Sequence, residues 1–440
     1  MPTPIKNQQE ILSKLHIEQL NPMQEEALAT IEANDHVLLL SPTGTGKTLA
    51  FLLPVIAGLD SECTEVQVVI VVPSRELAIQ IEQVIREMGA GYKANAVYGG
   101  RAGSQDKLDL NHRPAILIGT PGRMADHLRK ESFSVEFIQT LVLDEFDKSL
   151  EIGFEKEMME IVDNLFHVKK KILTSATLRA EIPVFMSFTN PARIDYLQEA
   201  IPALQVKTLL SPDKDKLETL FHALCHLGNQ PGIIFCNFKE SIQRVSDYLT
   251  SKNIAHGCFF GGMEQQDRER VLIKFRNGTY RLLIATDLAA RGIDVPEITF
   301  IIHYQLPLKS HEFIHRNGRT ARMHQQGTAY VMRWEREDLP PFIYPKDQPE
   351  VIEEIVEASI PDPSLWETLY ITGGRRDKIS KGDIVGLFLK QGLLPNDALG
   401  MIEIKQESSF VAVHSDRVEE LIKKINNSKL KTKKVRISRV

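Results

Sequence analysis

The stretch LVLDEFDKSL, residues 141–150, closes a short apolar run with Asp144 and Glu145, and Asp147 follows after one intervening residue. Carboxylates at the end of a buried strand are costly unless they are paired or hold a cation. Taken alone, the group also fits a strand that surfaces into a loop. A second segment, HVLLLSPTGTGKTLAFLLPVI, decides between these readings. An apolar strand runs into Ser41, Pro42, Thr43, Gly44, Thr45, Gly46, Lys47 and Thr48, and an apolar helix follows. That is the context that makes a phosphate-binding loop. Its glycines let backbone N–H groups converge on phosphates, Lys47 reaches the terminal phosphates, and the helix N-terminus adds its dipole. Such a loop works with Mg2+, which the Thr48 hydroxyl can ligate, and with a second strand ending in Asp. Asp144 supplies that Asp, binding the cation directly or through water. Glu145 is then placed to orient and deprotonate an attacking water.

The second half of the chain has no such loop. GIIFCNFKES, at the corresponding first strand, lacks both the glycines and the lysine, so one nucleotide is expected. EFIHRNGRTAR suggests another contribution. Arg316, Arg319 and Arg322 recur every third residue and would share one face of a helix. Arg319 and Arg322 are candidate arginine fingers, a device worth roughly 10³–10⁵ in rate. The alternative is a face of arginines resting on acidic surface.

These residues need elements to hold them. VLLL, VQVVIVV, AILIG, TLVLD and KILTS read as parallel strands covered on both faces, with helical stretches between. GIIFCN, RLLIATD, TFIIHY and GTAYVM repeat the rhythm after a join near ALQVKTLLSPDKDK. Two doubly wound α/β domains are expected over residues 1–205 and 206–350. A proline- and acid-rich linker, residues 351–363, leads to a block over 364–440 with the order β-α-β-β-α-β, the ferredoxin-like arrangement.

With 440 residues the chain has room for two or three domains, and 42% apolar with 25% charged residues is ordinary for a globular protein. No apolar run is long enough to span a bilayer, and MPTPIKNQQE is no secretory signal. Cys63, Cys225, Cys236 and Cys258 are scattered, which fits neither a zinc site nor a disulfide framework and suggests a reducing cytoplasm. The net charge of −5 is uneven: Leu365–Val440 carries 15 basic and 9 acidic residues, or +6, leaving −11 on the rest. A basic terminal block on an acidic body suggests a polyanion partner, usually nucleic acid.

In order along about residues 10–335, the motifs resemble those of DEAD-box RNA helicases. LHIEQLNPMQ is similar to the Q motif, which implies that Gln24 reads adenine. PSREL with Arg75, the Gly99–Gly100 pair, and TPGR with Thr120, Pro121, Gly122 and Arg123 resemble RNA-contacting motifs of the first domain. DEFD takes the place of D-E-A-D. Ser175-Ala176-Thr177 resembles the motif that couples hydrolysis to unwinding, with Asp147 as its partner. Gln265, Arg268 and Thr286 fall where the second domain of such helicases touches RNA. ATDLAARGIDV also implies nucleotide contacts at Gly292 and Asp294. The resemblance implies two tandem RecA-like parallel-sheet domains, ATP and Mg2+ as cofactors, and RNA-stimulated hydrolysis of ATP. Phe146 replaces the alanine of D-E-A-D, which puts the coupling through Asp147 in question. His16 and Ile17 stand where Gly-Phe is usual.

ITGGRRDKISKGDIVGLF resembles the RNA-binding domain of the DbpA subfamily, an RRM-like α+β domain. This implies recognition of a hairpin of 23S-type large-subunit rRNA, work on pre-ribosomal particles, and contacts from Arg375, Arg376, Lys378 and Lys381. Tyr370 and Phe410 are the aromatics near those strands, and either suits a core position. The expected enzyme is a cytoplasmic, monomeric RNA helicase whose basic block tethers it near its target. The competing readings are an ATP-dependent RNA clamp that hardly turns over and a DNA translocase.

Overall fold

Apolar runs of four to six residues can lie in a sheet covered on both faces only if alternate side chains enter different cores. The computed structural model describes residues 7–100, 103–151, 153–177, 182–197, 204–287, 298–320, 327–344 and 349–440. Its first sheet comprises β1 (His36–Leu40), β2 (Val68–Val71), β3 (Ala94–Val97), β4 (Ile116–Gly119), β5 (Thr140–Leu143), β6 (Lys170–Ser175) and β7 (Ala192–Asp195). All the pairings are parallel, in the order β3-β4-β2-β5-β6-β1-β7. On β2, Val68 and Ile70 join one apolar cluster, while Val69 and Val71 join the other. The helices of this unit are α1 (Gln8–Lys14), α2 (Pro22–Ala33), α3 (Lys47–Ala57), α4 (Arg75–Met88), α5 (Gly103–Leu110), α6 (Pro121–Arg129), α7 (Phe146–Glu151) and α8 (Glu155–Asn164).

A second unit contains all the later strands. Its larger sheet is also parallel, with β8 (Leu204–Ser211), β9 (Gly232–Phe235), β10 (His256–Phe259), β11 (Leu282–Ala285), β12 (Phe300–His303) and β13 (Gly327–Trp334). The order is β10-β11-β9-β12-β13-β8. Helices α9 (Leu217–Leu227), α10 (Lys239–Ser251), α11 (Gln265–Arg276) and α12 (Ser310–Asn317) accompany it. The segment read as the join between domains begins with β8, which pairs with β13 along its whole length.

The C-terminal block is a small antiparallel sheet of β14 (Trp366–Ile371), β15 (Leu399–Ile404), β16 (Ser409–His414) and, after the hairpin β17 (Lys429–Leu430)–β18 (Lys433–Lys434), β19 (Ile437–Arg439). With α13 (Lys381–Gly386) and α14 (Val418–Ile425), the order β15-β16-β14-β19 is the ferredoxin-like one. Phe410 is buried and meets Tyr370 edge-on at 5.5 Å across β14 and β16.

This block is docked on α11 of the same unit. The Arg276 guanidinium forks onto Glu403, with Nη2 at 2.9 and 2.8 Å from its two oxygens. Asn277 Nδ2 donates to Thr368 Oγ1 at 3.2 Å, and the hydroxyls of Thr279 and Thr368 lie 2.7 Å apart, all of it buried. Burial acts to raise the Glu403 pKa, but Lys405 and Arg276 outweigh it and hold the group below its ordinary range. Residues 351–353 run beside β8, where the Thr208 N–H donates to the Val351 carbonyl at 2.7 Å. The block is therefore held on α11 by buried hydrogen bonds and a forked ion pair. No helix among the described residues is long and apolar enough to cross a membrane.

Candidate nucleotide and nucleic-acid site

Strand order determines which loops meet. β5, β6 and β1 are neighbours, so three segments emerge side by side from their C-terminal ends: DEFD, SAT and the phosphate loop. The Ser41 N–H donates to the Ser175 carbonyl at 3.1 Å, tying the first residue of the loop to SAT. Gly44 and Gly46 have φ of +84° and +86°, a region that glycine occupies without penalty. At Gly46 close approach adds to this, because a Cβ there would lie 2.4 Å from Gln24 Nε2.

Lys47 starts α3, and its ammonium donates to the carbonyls of Ser41 at 2.5 Å and Pro42 at 2.7 Å. Burial pushes its pKa down to about 8, against the pull of Glu145 and Asp144. Asp144 is pushed up to about 6 by burial and then by Glu145, with the Thr174 hydrogen bond and Lys47 opposing. A cation bound beside Asp144 would offset the cost of burying its charge. The oxygen donors nearby, the Thr48 hydroxyl and the Asp144 carboxylate, suit Mg2+, which takes few protein ligands and shares substrate phosphates.

Thr174 had no assigned role in the sequence, yet it joins both acids. Its hydroxyl donates to Asp144 Oδ1 and accepts the Glu145 N–H at 3.1 Å. The next link is also intact: Thr177 Oγ1 donates to Asp147 Oδ2 at 3.0 Å, and the Thr177 N–H donates to Ser175 Oγ at 2.9 Å. Phe146 is buried in the apolar cluster that contains Val71, Leu143 and Leu173. Its bulk is therefore absorbed by the core, and the Thr177–Asp147 bond is made beside it.

Gln24 is bonded at both ends of its amide. Its Oε1 accepts the Asn21 N–H at 3.0 Å, and its Nε2 donates to the Gly46 carbonyl at 3.3 Å. Asn21 was not picked out by sequence, but its Nδ2 donates to the Thr45 carbonyl at 3.0 Å. The legible signal was the capping box, Asn followed by Gln three residues later at a helix start.

The RNA-motif candidates occupy the other half of the same sheet edge, after β3, β4 and β2. Arg75 opens α4, and its guanidinium lies against Gly100, where a Cβ would sit 2.6 Å from Nη1. Thr120, Pro121 and Gly122 open α6. Arg123 is bound by Asp106, with Nε 2.8 Å from Oδ2, and by Asp126 at 3.2 Å. Asp106, which sequence did not single out, also meets His127 Nε2 at 3.1 Å.

In the second unit, Gln265 and Arg268 follow β10, and Thr286 follows the adjacent β11. Arg268 donates to the Phe260 carbonyl at 3.1 Å and covers the Phe259 ring, so it is largely buried. The expected single helical face of arginines is corrected. α12 ends at Asn317, and Arg319 lies beyond it. Arg316 is fully buried, with Nε and Nη2 each 2.6 Å from an Asp287 oxygen and further bonds to Asn237 and the Gln305 carbonyl. Beside it, burial and then the Arg316 charge push His303 down to about 3. Arg319 is also buried, and its N–H donates to the Arg316 carbonyl at 3.1 Å. Gly292, Asp294 and Arg322 lie outside the described residues.

Arg375, Arg376 and Lys378 lie on one turn after β14 and Lys381 opens α13, and all four are exposed. The backbone of that turn is stitched to the β15–β16 hairpin, Arg375 N–H to the Lys405 carbonyl and Arg376 N–H to the Gln406 carbonyl, each at 2.9 Å. The basic tail returns to the same place, with Lys433 2.8 Å from Asp377 and Lys431 3.0 Å from Asp383.

Comparison with known proteins places these features in a family context. Residues 21–183 match the profile of the DEAD/DEAH box helicase family, 215–324 the helicase conserved C-terminal domain, and 368–439 the DbpA RNA binding domain. The ATP-dependent RNA helicase DbpA of Bacillus subtilis (strain 168) is 29% identical over 93% of this chain and 92% of its own. The DEAD-box ATP-dependent RNA helicase CshB of the same organism is 33% identical over 70% of this chain and 73% of its own. Among solved structures, S. cerevisiae Dbp5 bound to RNA and ADP BeF3 superposes with a TM-score of 0.67 at 26% identity, over 74% of this chain and 88% of that one.

Proposed function

The chain belongs to the DEAD-box ATP-dependent RNA helicases, and from that premise we propose that it opens short RNA duplexes during large ribosomal subunit assembly. Its C-terminal block, residues 364–440, directs it to a hairpin of large-subunit rRNA. The chain is an RNA-stimulated ATPase. The phosphate-loop amides and Lys47 hold the terminal phosphates of ATP, and Gln24 links the adenine end to the loop. Thr48 and Asp144 hold Mg2+, which when bound neutralises phosphate charge. Glu145 orients water for attack and accepts its proton. Arg319 and Arg322 stabilise charge on the transferring phosphoryl group, and Gly292 and Asp294 complete the nucleotide contacts. Arg75, Gly100, Thr120, Pro121, Gly122 and Arg123 take one part of the RNA backbone, while Gln265, Arg268 and Thr286 take another. Asp147, Thr177 and Ser175 report the state of the nucleotide to that RNA surface. The enzyme works as a cytoplasmic monomer on pre-ribosomal particles.

The observation that carries this reading is the set of hydrogen bonds that joins Asp144 through Thr174 to Glu145, with Lys47 buried in the field of both acids and Asp147–Thr177 alongside. It survives the Phe146 replacement and so favours turnover over a static clamp.

The test is steady-state ATPase activity without nucleic acid, with unrelated RNA, with DNA, and with a large-subunit rRNA fragment. Strong stimulation by the fragment, lost on removing residues after Pro363, is expected. Equal stimulation by any RNA would remove the assigned target, and stimulation by DNA alone would overturn the substrate class.

A further inference from the structure

Lys148 is fully buried, and no role in phosphate or RNA binding accounts for it. Its ammonium lies 2.6 Å from Glu145 Oε2, three residues earlier. Burying an ammonium is expensive, and an apolar side chain of similar volume is often as good or better for stability. A buried lysine in this place therefore asks what it does for its partner.

The local backbone sets up the pair. Glu145 has φ +52°, in the left-handed region that non-glycine residues rarely adopt. Its N–H is taken by Thr174 Oγ1, which holds that conformation. Strain of this kind persists where the surroundings over-determine it, and it concentrates at functional sites. Here it places the Glu145 carboxylate over the first turn of α7, where Lys148 meets it.

We propose that Lys148 is a positioning residue for Glu145: it engages one carboxylate oxygen and fixes the plane of the group, so that the other faces the attacking water. The inference rests on the reading of Glu145 given above. Oε2 has no solvent-accessible surface, so proton acceptance falls to Oε1. Neighbouring groups are committed elsewhere. Lys47 donates to the loop carbonyls, and Asp147 accepts from Thr177. In the step served, the water oxygen bonds to the γ-phosphorus while the bond from phosphorus to the bridging oxygen breaks. That electron pair leaves on ADP, and the proton of water passes to Oε1. A fixed carboxylate plane contributes orientation, and positioned proton acceptance is worth orders of magnitude in rate.

The test compares RNA-saturated ATPase in wild type, Lys148→Met, Lys148→Arg, Glu145→Gln and the double variant Glu145→Gln/Lys148→Met, with fluorescent ADP binding as a check on the site. Lys148→Met is expected to lower kcat by about tenfold or more. KM for ATP and the half-saturating RNA concentration stay within about threefold, because Lys148 is assigned no contact with either ligand. Lys148→Arg recovers part of the loss. In the Glu145→Gln background, Lys148→Met causes no further loss, which single-turnover measurements resolve. A purely structural lysine would reduce both backgrounds alike and move kcat together with ADP affinity, and that result overturns the proposal, as does an unchanged kcat. If Lys148→Met alone fails to fold, Lys148→Arg in the two backgrounds carries the same comparison. Should Glu145→Gln turn over like wild type, the underlying assignment of Glu145 fails instead. Loss in Glu145→Gln with an unaffected Lys148→Met sinks only the role of Lys148.

Discussion

At the scale of single residues, the parts of the candidate site with a fixed chemical alphabet stand out in the sequence. Glycines, Lys47 and the paired acids appear there because phosphate chemistry admits few substitutes. Thr174, Asn21 and Lys148 were not legible, because each matters through one contact that the fold creates. A threonine near the end of a buried strand gives no sign that it will meet two acids from the neighbouring strand. Thr174→Val keeps the shape and removes both hydrogen bonds, leaving the Glu145 N–H and Asp144 Oδ1 unsatisfied. The expected cost is about 1–3 kcal/mol in stability of the first unit. The kcat loss is expected to exceed it, on the order of 10–100-fold, since the residue orients both acids. Thr174→Ser keeps the hydroxyl and is expected to stay within about threefold of wild type. Denaturant unfolding and ATPase assays on the three proteins check this, and equal rates in Val and Ser variants would refute it.

At the scale of elements, the sequence revealed strands in proportion to how completely they are covered. Apolar runs mark β1, β2, β4, β5, β6, β9, β11, β12 and β13, all interior to their sheets. The four strands without such a run, β3, β7, β8 and β10, are the four edges of the two parallel sheets. An edge strand pairs on one side and can carry polar residues, so ANAV, ARID and HGCF lack the signature. Element packing also explains Phe146. Returning the motif to D-E-A-D with Phe146→Ala would excavate a core position that is 2% exposed. The expected loss is about 3–5 kcal/mol from the first unit. ATPase activity falls with it, because α7 carries Asp147 and Lys148 as well as Phe146. Phe146→Leu, which fills most of the space, is expected to retain most of both. If Phe146→Ala proves as stable as wild type in denaturant unfolding, the aromatic is not filling the core as described.

At the scale of the whole molecule, charge asymmetry pointed to a polyanion partner, but nothing in the sequence said how the basic block is mounted. Mounting depends on pairs such as Arg276–Glu403 and Asn277–Thr368, separated by about a hundred residues or more and invisible to any local pattern. The consequence runs through α11. Its first residues, Gln265 and Arg268, are RNA candidates, and its last, Arg276, holds the C-terminal block. Twelve residues of helix span about 18 Å, a fixed spacer in place of a flexible one. RNA gripped by the basic turn would then meet the helicase surface at a set distance, and changing the mount should alter coupling more than binding. Arg276→Glu sets like charges together in a half-dry interface, which costs several kcal/mol. The variant is expected to be cut faster by protease within residues 351–363 and to keep its affinity for the rRNA fragment. Stimulation of ATPase by that fragment should fall toward the level given by unrelated RNA, and the swap Arg276→Glu/Glu403→Arg should recover part of it. Full stimulation with accelerated proteolysis would mean that the block works as a loose tether, and that the buried contacts serve stability alone.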